Sequence, residues 1–336
     1  MRSFIRTGMS LSRCYATNVF QADAQITTYT CRDNGLPRVA RSEWSTGLRH
    51  ARLICYWRAM TKRKHDRAIL DPSASKSTAS RPPTDDFSKL VGEQPAGPDE
   101  LPSIHVSDGL GFRSIMRDGQ LSAEPCPAFN GEPLIYLFYG RPSYRVNSQV
   151  MASAIRAYAP VCFVLKPGVV RSPARVFPFD SGAFHNELFH ASMHRKMARD
   201  DFALEPDLAS PQRLINLFFG DNQSYYDNKP IATLDLPPLA FEASSYHALI
   251  TDRQENIYDE RISSIEIQVS DDIRLKDAVE AVVLPDAFMV KEVAASLTAI
   301  GAEAIPYAFI DRLRPELYAA TIYPIVRDYY RRRGYL

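Results

Sequence analysis

Thirty residues, "DPSASKSTASRPPTDDFSKLVGEQPAGPDE" at positions 71–100, constrain the fold of this chain more than any other stretch. They are rich in Pro, Ser, Asp and Gly and poor in large apolar side chains. A segment of that kind buries too little surface to offset its ordering entropy. It therefore reads as a linker and splits the 336 residues into residues 1–100, an extension without a core, and residues 101–336, a single folded domain.

The two parts differ in charge. Residues 1–100 carry 16 Lys and Arg against 10 Asp and Glu, and the remainder carries 24 against 29. The chain as a whole is at +1, so its net charge advertises neither nucleic acid nor membrane. The first 60 residues hold nine arginines and no lysine, with no sustained hydrophobic period. Arg-rich, acid-poor composition is that of a mitochondrial presequence, and equally of a disordered extension ahead of an internal start at Met60. The disordered reading is the expectation adopted. "TKRKHDR" at 61–67 reads as a solvated basic run. Cys14, Cys31, Cys55, Cys126 and Cys162 form no CxxC spacing, which suits a reducing, cytoplasmic setting. No apolar run approaches the roughly 18 residues that span a bilayer, so no membrane partner is expected.

From Leu101 the pattern predicts an α+β fold. "PSIHVS", "PLIYLFYG", "VCFVLKP", "HALITDR", "SSIEIQVS" and "AVEAVVLPD" read as strands. "DGLGFRSIMRDGQL", "QVMASAIRAY", "AFHNELFHASMHRKM", "SPQRLINLFFG" and "FMVKEVAASLTAIG" read as helices. Phosphate-binding and nucleophile motifs (GxGxxG, the Walker lysine loop, GxSxG) are missing. His185, His190 and His194 fall in one of these helices, the last two a helical turn apart, but without the interleaved carboxylate of a metal-binding pair, so no metal is expected.

One strand is unusual. "LIYLFYG" runs straight into "RPSYR", which delivers Arg141, Tyr144 and Arg145 at a sharp turn. His105 closes the first strand. On the late strand, period-two alternation sets Glu266 and Gln268 opposite Ile265 and Ile267. A glutamate so placed is either an exposed strand residue or a functional one.

Taken together, the His105 strand, the helix ending "DGQL" and the aromatic strand entering an arginine loop resemble the N-terminal signature of the ADP-ribosyltransferase superfamily, nearest its DarT-like, nucleic-acid-modifying branch. The likeness covers residues 101–147 and, more loosely, 246–285. It implies a split mixed β-sheet with inserted helices and NAD as substrate, with no metal. It implies Glu266 as the catalytic carboxylate, with Glu260 as second choice, and Arg141 as the partner of the pyrophosphate. His105 would hold a ribose, and Tyr136, Tyr139 or Tyr144 would stack on nicotinamide. The acceptor would be nucleic acid or protein, and a toxin or defence role with an antitoxin or other partner protein would follow. "GRPSYR" departs from the family's second-strand pattern, and the separation of His105 from Glu266 is long. The alternative expectation is a non-catalytic interaction protein on an α+β scaffold, with Arg141 and Arg145 as structural ion-pair partners.

Overall fold

The computed structural model describes residues 84–95, 97–144, 155–186, 189, 192–252, 260–310 and 314–336, and the backbone of 14–21, 24–33 and 36–43. The chain divides into two compact units, Met1–Thr78 and Ala79–Leu336. In the first, β1 (Cys14–Gln21), β2 (Ala24–Asp33) and β3 (Leu36–Glu43) form an antiparallel meander. Its middle strand is rich in Thr, which favours extended backbone. Asn34 and Gly35, between the second and third strands in sequence, are the pair that two-residue hairpins favour. The remaining residues of the N-terminal extension up to 83 lie outside the described residues.

The second unit is α+β, and it begins earlier than the linker composition predicts. Helix α1 (Asp86–Gly92) buries Phe87 and Val91 in the main core. The Phe87 ring meets Phe202, Phe218 and Tyr246 at centroid distances of 5.7, 6.2 and 5.8 Å. The flanking chain is pinned as well: Thr84 N donates to Asp201 Oδ1, Gln212 Nε2 to the Pro98 carbonyl and Asn222 Nδ2 to the Asp99 carbonyl. The domain boundary at Leu101 is thus corrected. Two apolar side chains one turn apart are too few to stand out in a Pro/Ser-rich sequence, yet they suffice once an aromatic cluster receives them.

After α1 come β4 (Ser103–Asp108), α2 (Gly109–Asp118), β5 (Gln120–Leu121), β6 (Glu124–Cys126), β7 (Glu132–Tyr139), β8 (Pro160–Leu165) and β9 (Arg175–Phe177). Four helices follow: α3 (Ser181–His185), α4 (Ala209–Phe218), α5 (Asn222–Tyr226) and α6 (Phe241–Thr251). The chain ends with β10 (Glu266–Val269), β11 (Ile273–Arg274), β12 (Val279–Pro285), α7 (Lys291–Ile300), β13 (Glu303–Tyr307) and α8 (Ala319–Arg333). The main sheet is mixed, in the order β13-β12-β8-β4-β7-β10-β9, with β6 also on β7. Among the described strand pairs of this sheet only β12–β13 is parallel, and α7 makes its crossover.

Alternation along the strands feeds two layers. Leu137, Phe163, Ile265 and Ile267 pack on one face with α1, α4 and α6. Ile104, Cys162, Val164 and Val283 pack on the other with Ile322, Val326 and Tyr330 of α8. "HALITDR", expected as a strand, is the end of α6. Its buried residues Ala243, Tyr246 and Ile250 follow helical spacing, which a window beginning at His247 misses. The expected helix over 183–197 is helical only to His185 and turns irregular by Ser192. Of "QVMASAIRAY" only Ile155 onward is described, and there the chain makes a 3-10 turn, Arg156–Tyr158. No helix among the described residues is long and apolar enough to cross a membrane.

The early boundary has a measurable consequence. Phe87→Ala is expected to cost about 3 kcal/mol or more, as other buried Phe→Ala changes do. Urea denaturation of the full chain checks this, and an unchanged midpoint would return the segment to linker status.

Candidate functional site

Strand β7 has one continuous neighbour and one broken one. Along one edge, Ile135–Phe138 pair with Val269–Glu266 of β10. Along the other, Tyr139 and Phe138 pair with Ser103 and Ile104 of β4, while Leu134 to Glu132 pair with β6. β4 leaves β7 after Ile104 and follows β8 for its whole length. The sheet is forked at that point, and His105 is the first residue past the fork. Its Nδ1 lies 3.0 Å from the Tyr136 carbonyl oxygen. A carbonyl only accepts, so the proton of the neutral ring belongs on Nδ1. Burial lowers the His105 pKa, and the Tyr136 carbonyl and Glu124 oppose it less strongly.

Pairing across β7, β10 and β9 fixes which side chains share a face. Glu266 stands between Phe138 and Phe177, and Gln268 between Tyr136 and Arg175. Glu266 is 1% exposed, so it is a buried carboxyl and not a solvated strand residue. Three donors hold it: Ser181 N at 3.0 Å on Oε2, and Ser181 Oγ at 2.6 Å and Gln268 Nε2 at 2.7 Å on Oε1. Its pKa is nonetheless pushed up to about 8, first by burial and then by the neighbouring Asp180 charge, with the Ser181 and Gln268 bonds pulling the other way.

The donors are themselves held. Gln268 Oε1 accepts from Arg175 Nη1 at 3.3 Å, which turns the amide nitrogen toward Glu266. Arg175 pairs with Glu132 at 2.6 Å and lies over the Phe129 ring, 4.7 Å from its centroid. Asp180 caps α3 by accepting from Ala183 N, and so fixes the backbone that presents Ser181. A polar chain therefore runs from half-exposed Glu132 and Arg175 through Gln268 to the buried carboxyl. Tyr136 flanks it, its hydroxyl donating to Cys126 Sγ and its pKa raised mainly by burial.

Of the residues singled out in the sequence, Tyr136 and Glu266 share a face through neighbouring rows of β7 and β10, whereas His105 reaches the Tyr136 backbone carbonyl and pairs with Phe163 on the opposite face. Three others go elsewhere. Tyr139 alternates to the opposite face with Leu137, is fully buried, and accepts from Leu101 N at its hydroxyl. Tyr144 is buried among Ile104, Cys162 and Val164. Arg141 is 1% exposed and donates from Nη1 to the Ser263 carbonyl at 3.2 Å and to Ser263 Oγ at 3.0 Å. Its guanidinium lies 5.1 Å from the Tyr225 ring centroid and 5.9 Å from that of Tyr323. Gly140 takes a left-handed φ of 69°, and a Cβ there would come within 2.4 Å of Leu101 Cδ1, so glycine is required at the turn just before the buried Arg141. In this arrangement Arg141 reaches no pyrophosphate, and Tyr139 and Tyr144 offer no ring to nicotinamide. Glu260 opens a 3-10 turn, Glu260–Ile262, and its side chain, like Arg145 and His190, lies outside the described residues.

Sequence reasoning missed Ser181 and Arg175, and it placed Gln268 on the face of Glu266 by period two without giving it a role. Asp180-Ser181 carried a capping signal. Arg175 had none, since only β9 pairing brings it to Gln268.

Two outcomes follow. Arg141→Ala strands the two Ser263 acceptors and empties a space between two tyrosines, so it is expected to lower stability by about 3 kcal/mol. Chemical denaturation checks this, and a loss under about 0.5 kcal/mol, the ordinary range of a surface substitution, would contradict the buried role. For Glu266 the folded state keeps a proton that the unfolded state releases near the ordinary value of 4.5. The folded state therefore binds more protons between about pH 5 and 8, and stability falls as pH rises through that window. Glu266→Gln removes this dependence, so the stability difference between variant and parent should shift in favour of the variant from pH 5 to 8. Parallel pH profiles would show that Glu266 ionises normally. No family model matches the chain and no curated protein matches it, so the functional reading rests on these side chains.

Proposed function

We propose that the protein is an NAD-dependent ADP-ribosyltransferase in which Glu266 acts on the nicotinamide ribose and His105 closes the fork of the sheet. The observation that carries this reading is a carboxyl of raised pKa on the strand beside a forked sheet, with a neutral histidine bridging the fork. Strongly perturbed ionisable groups cluster at functional sites.

The chemistry asked of such a site is modest. The bond between the ribose C1′ and the pyridinium nitrogen breaks, and its electron pair leaves with neutral nicotinamide. C1′ becomes oxocarbenium-like, and an acceptor nucleophile bonds to it and loses a proton. A carboxylate near the ribose hydroxyls stabilises the developing positive charge. Ser181 Oγ, at 2.6 Å from the Glu266 carboxyl, occupies the kind of position a ribose hydroxyl would take on binding. The carboxyl is covered by Ser181, so the reading requires that contact to exchange for substrate. Arg141 has no part in this mechanism. The acceptor is proposed as nucleic acid or protein.

Glu266→Gln keeps the shape of the side chain and loses its charge. Nicotinamide release should fall by ~10²–10³-fold while NAD binding is retained, the pattern of a group that acts mainly in the transition state. Parent activity should rise with pH through about 8 as the carboxylate forms. Release measured with separate DNA, RNA and protein pools checks both points, and full activity of the Gln variant would remove Glu266 from the mechanism.

The second reading, a non-catalytic interaction protein, draws on the burial of Arg141 and on the three donors that already satisfy Glu266. A parent that consumes no NAD with any acceptor pool selects it.

A further inference from the structure

With Arg141 buried, the anionic part of a dinucleotide needs other cations, and one of them, Arg199, lies near the Phe177 ring. Arg199 stacks on the Phe129 ring, 3.9 Å from its centroid, and lies 5.8 Å from that of Phe177, the cross-strand neighbour of Glu266. Arg199 also borders a cavity of about 680 Å³ with an apolar wall of half-buried Phe184, Met193 and Met197. Exposed His194 and Arg195 complete its cationic side.

α3 links the chain at the carboxyl to the cavity wall. α3 begins at Ser181, which holds Glu266, and reaches the cavity wall at Phe184 and His185, about one helical turn (~5.4 Å) further on. Its charges are not all satisfied internally. Arg199 is bonded to Asp200 and to the Ala128 carbonyl. Arg195, by contrast, has no ion-pair or hydrogen-bond partner among the described residues. Among the described lining residues, two arginines stand with one carboxylate, Asp200, so that part of the lining is positive before either histidine takes a proton. A compact apolar wall beside unspent guanidinium matches a flat heteroaromatic ring joined to a phosphate.

We propose that this cavity is a nucleotide subsite, with the base against Phe184, Met193 and Met197 and the phosphate at Arg195 and His194. It rests on the ADP-ribosyl-transfer reading only for its role in that reaction. The same chemistry has two sources: the adenylate half of the dinucleotide, or a nucleotide of a nucleic-acid acceptor.

Calorimetry on the full chain separates the sources, with ADP-ribose, adenosine and a short single-stranded DNA as probes for the parent and Arg195→Ala. Arg195 is exposed, so the variant should melt with the parent. ADP-ribose binding should weaken about tenfold or more, the worth of a lost charge-assisted phosphate contact, and adenosine binding should be alike in both proteins. A loss confined to the oligonucleotide assigns the cavity to the acceptor strand. Equal affinities in parent and variant, or no binding of either phosphate-bearing probe by the parent, overturn the subsite. Arg195-dependent binding without nicotinamide release rejects the transferase and keeps the subsite. Nicotinamide release that depends on Glu266, together with probe binding indifferent to Arg195, keeps the transferase and rejects the subsite.

Discussion

A backbone carbonyl in the middle of a sheet has to find a donor, and the Tyr136 carbonyl finds it in a side chain. β4 turns away from β7 after Ile104 to stay with β8, and His105 closes the gap through Nδ1. An unpaired buried acceptor costs about 1–3 kcal/mol, so the fork persists because that one ring satisfies it. The fork brings His105 beside Tyr136, directly across from Gln268 on the strand that carries Glu266.

Glu266 is held by opposing effects. Burial and Asp180 disfavour its charge, while Ser181 and the Gln268 amide favour it. The outcome is a carboxyl whose pKa is pushed up to about 8, with burial as the main cause. Arg141 has a different part in the same design. It ties the turn after β7 to Ser263, just ahead of β10. Tyr225 repeats the tie, donating to the Tyr139 carbonyl and accepting from Ile265 N. These contacts set the start of the strand whose first residue is Glu266. An apolar strand runs into an arginine at a sharp turn here because that arginine is internal masonry beneath the site.

Much of the fold was legible in local pattern. The strands through His105, Tyr136, Phe163 and Glu266 follow from alternation and apolar runs, and α2 and α7 from periodicity and terminal glycines. Three kinds of information were not local. Phe87 joins the core only because Phe202, Phe218 and Tyr246 converge from distant segments. The buried setting of Arg141 depends on Ser263, Tyr225 and Tyr323, all distant in sequence. Gln268 and Arg175 gain meaning only through the register of β9 on β10. A lone polar residue in a sequence does not declare its cross-strand partner, and this site is built from such partners.

The most direct measurement is a crystal structure of the full chain with a non-cleavable NAD analogue. The account expects the nicotinamide ribose C1′ within about 3.5 Å of a Glu266 carboxyl oxygen, the spacing of a reactive arrangement, with Ser181 Oγ displaced and Arg141 still on Ser263. An analogue bound away from Glu266, or density at Arg141 with Glu266 still closed under Ser181, would contradict it.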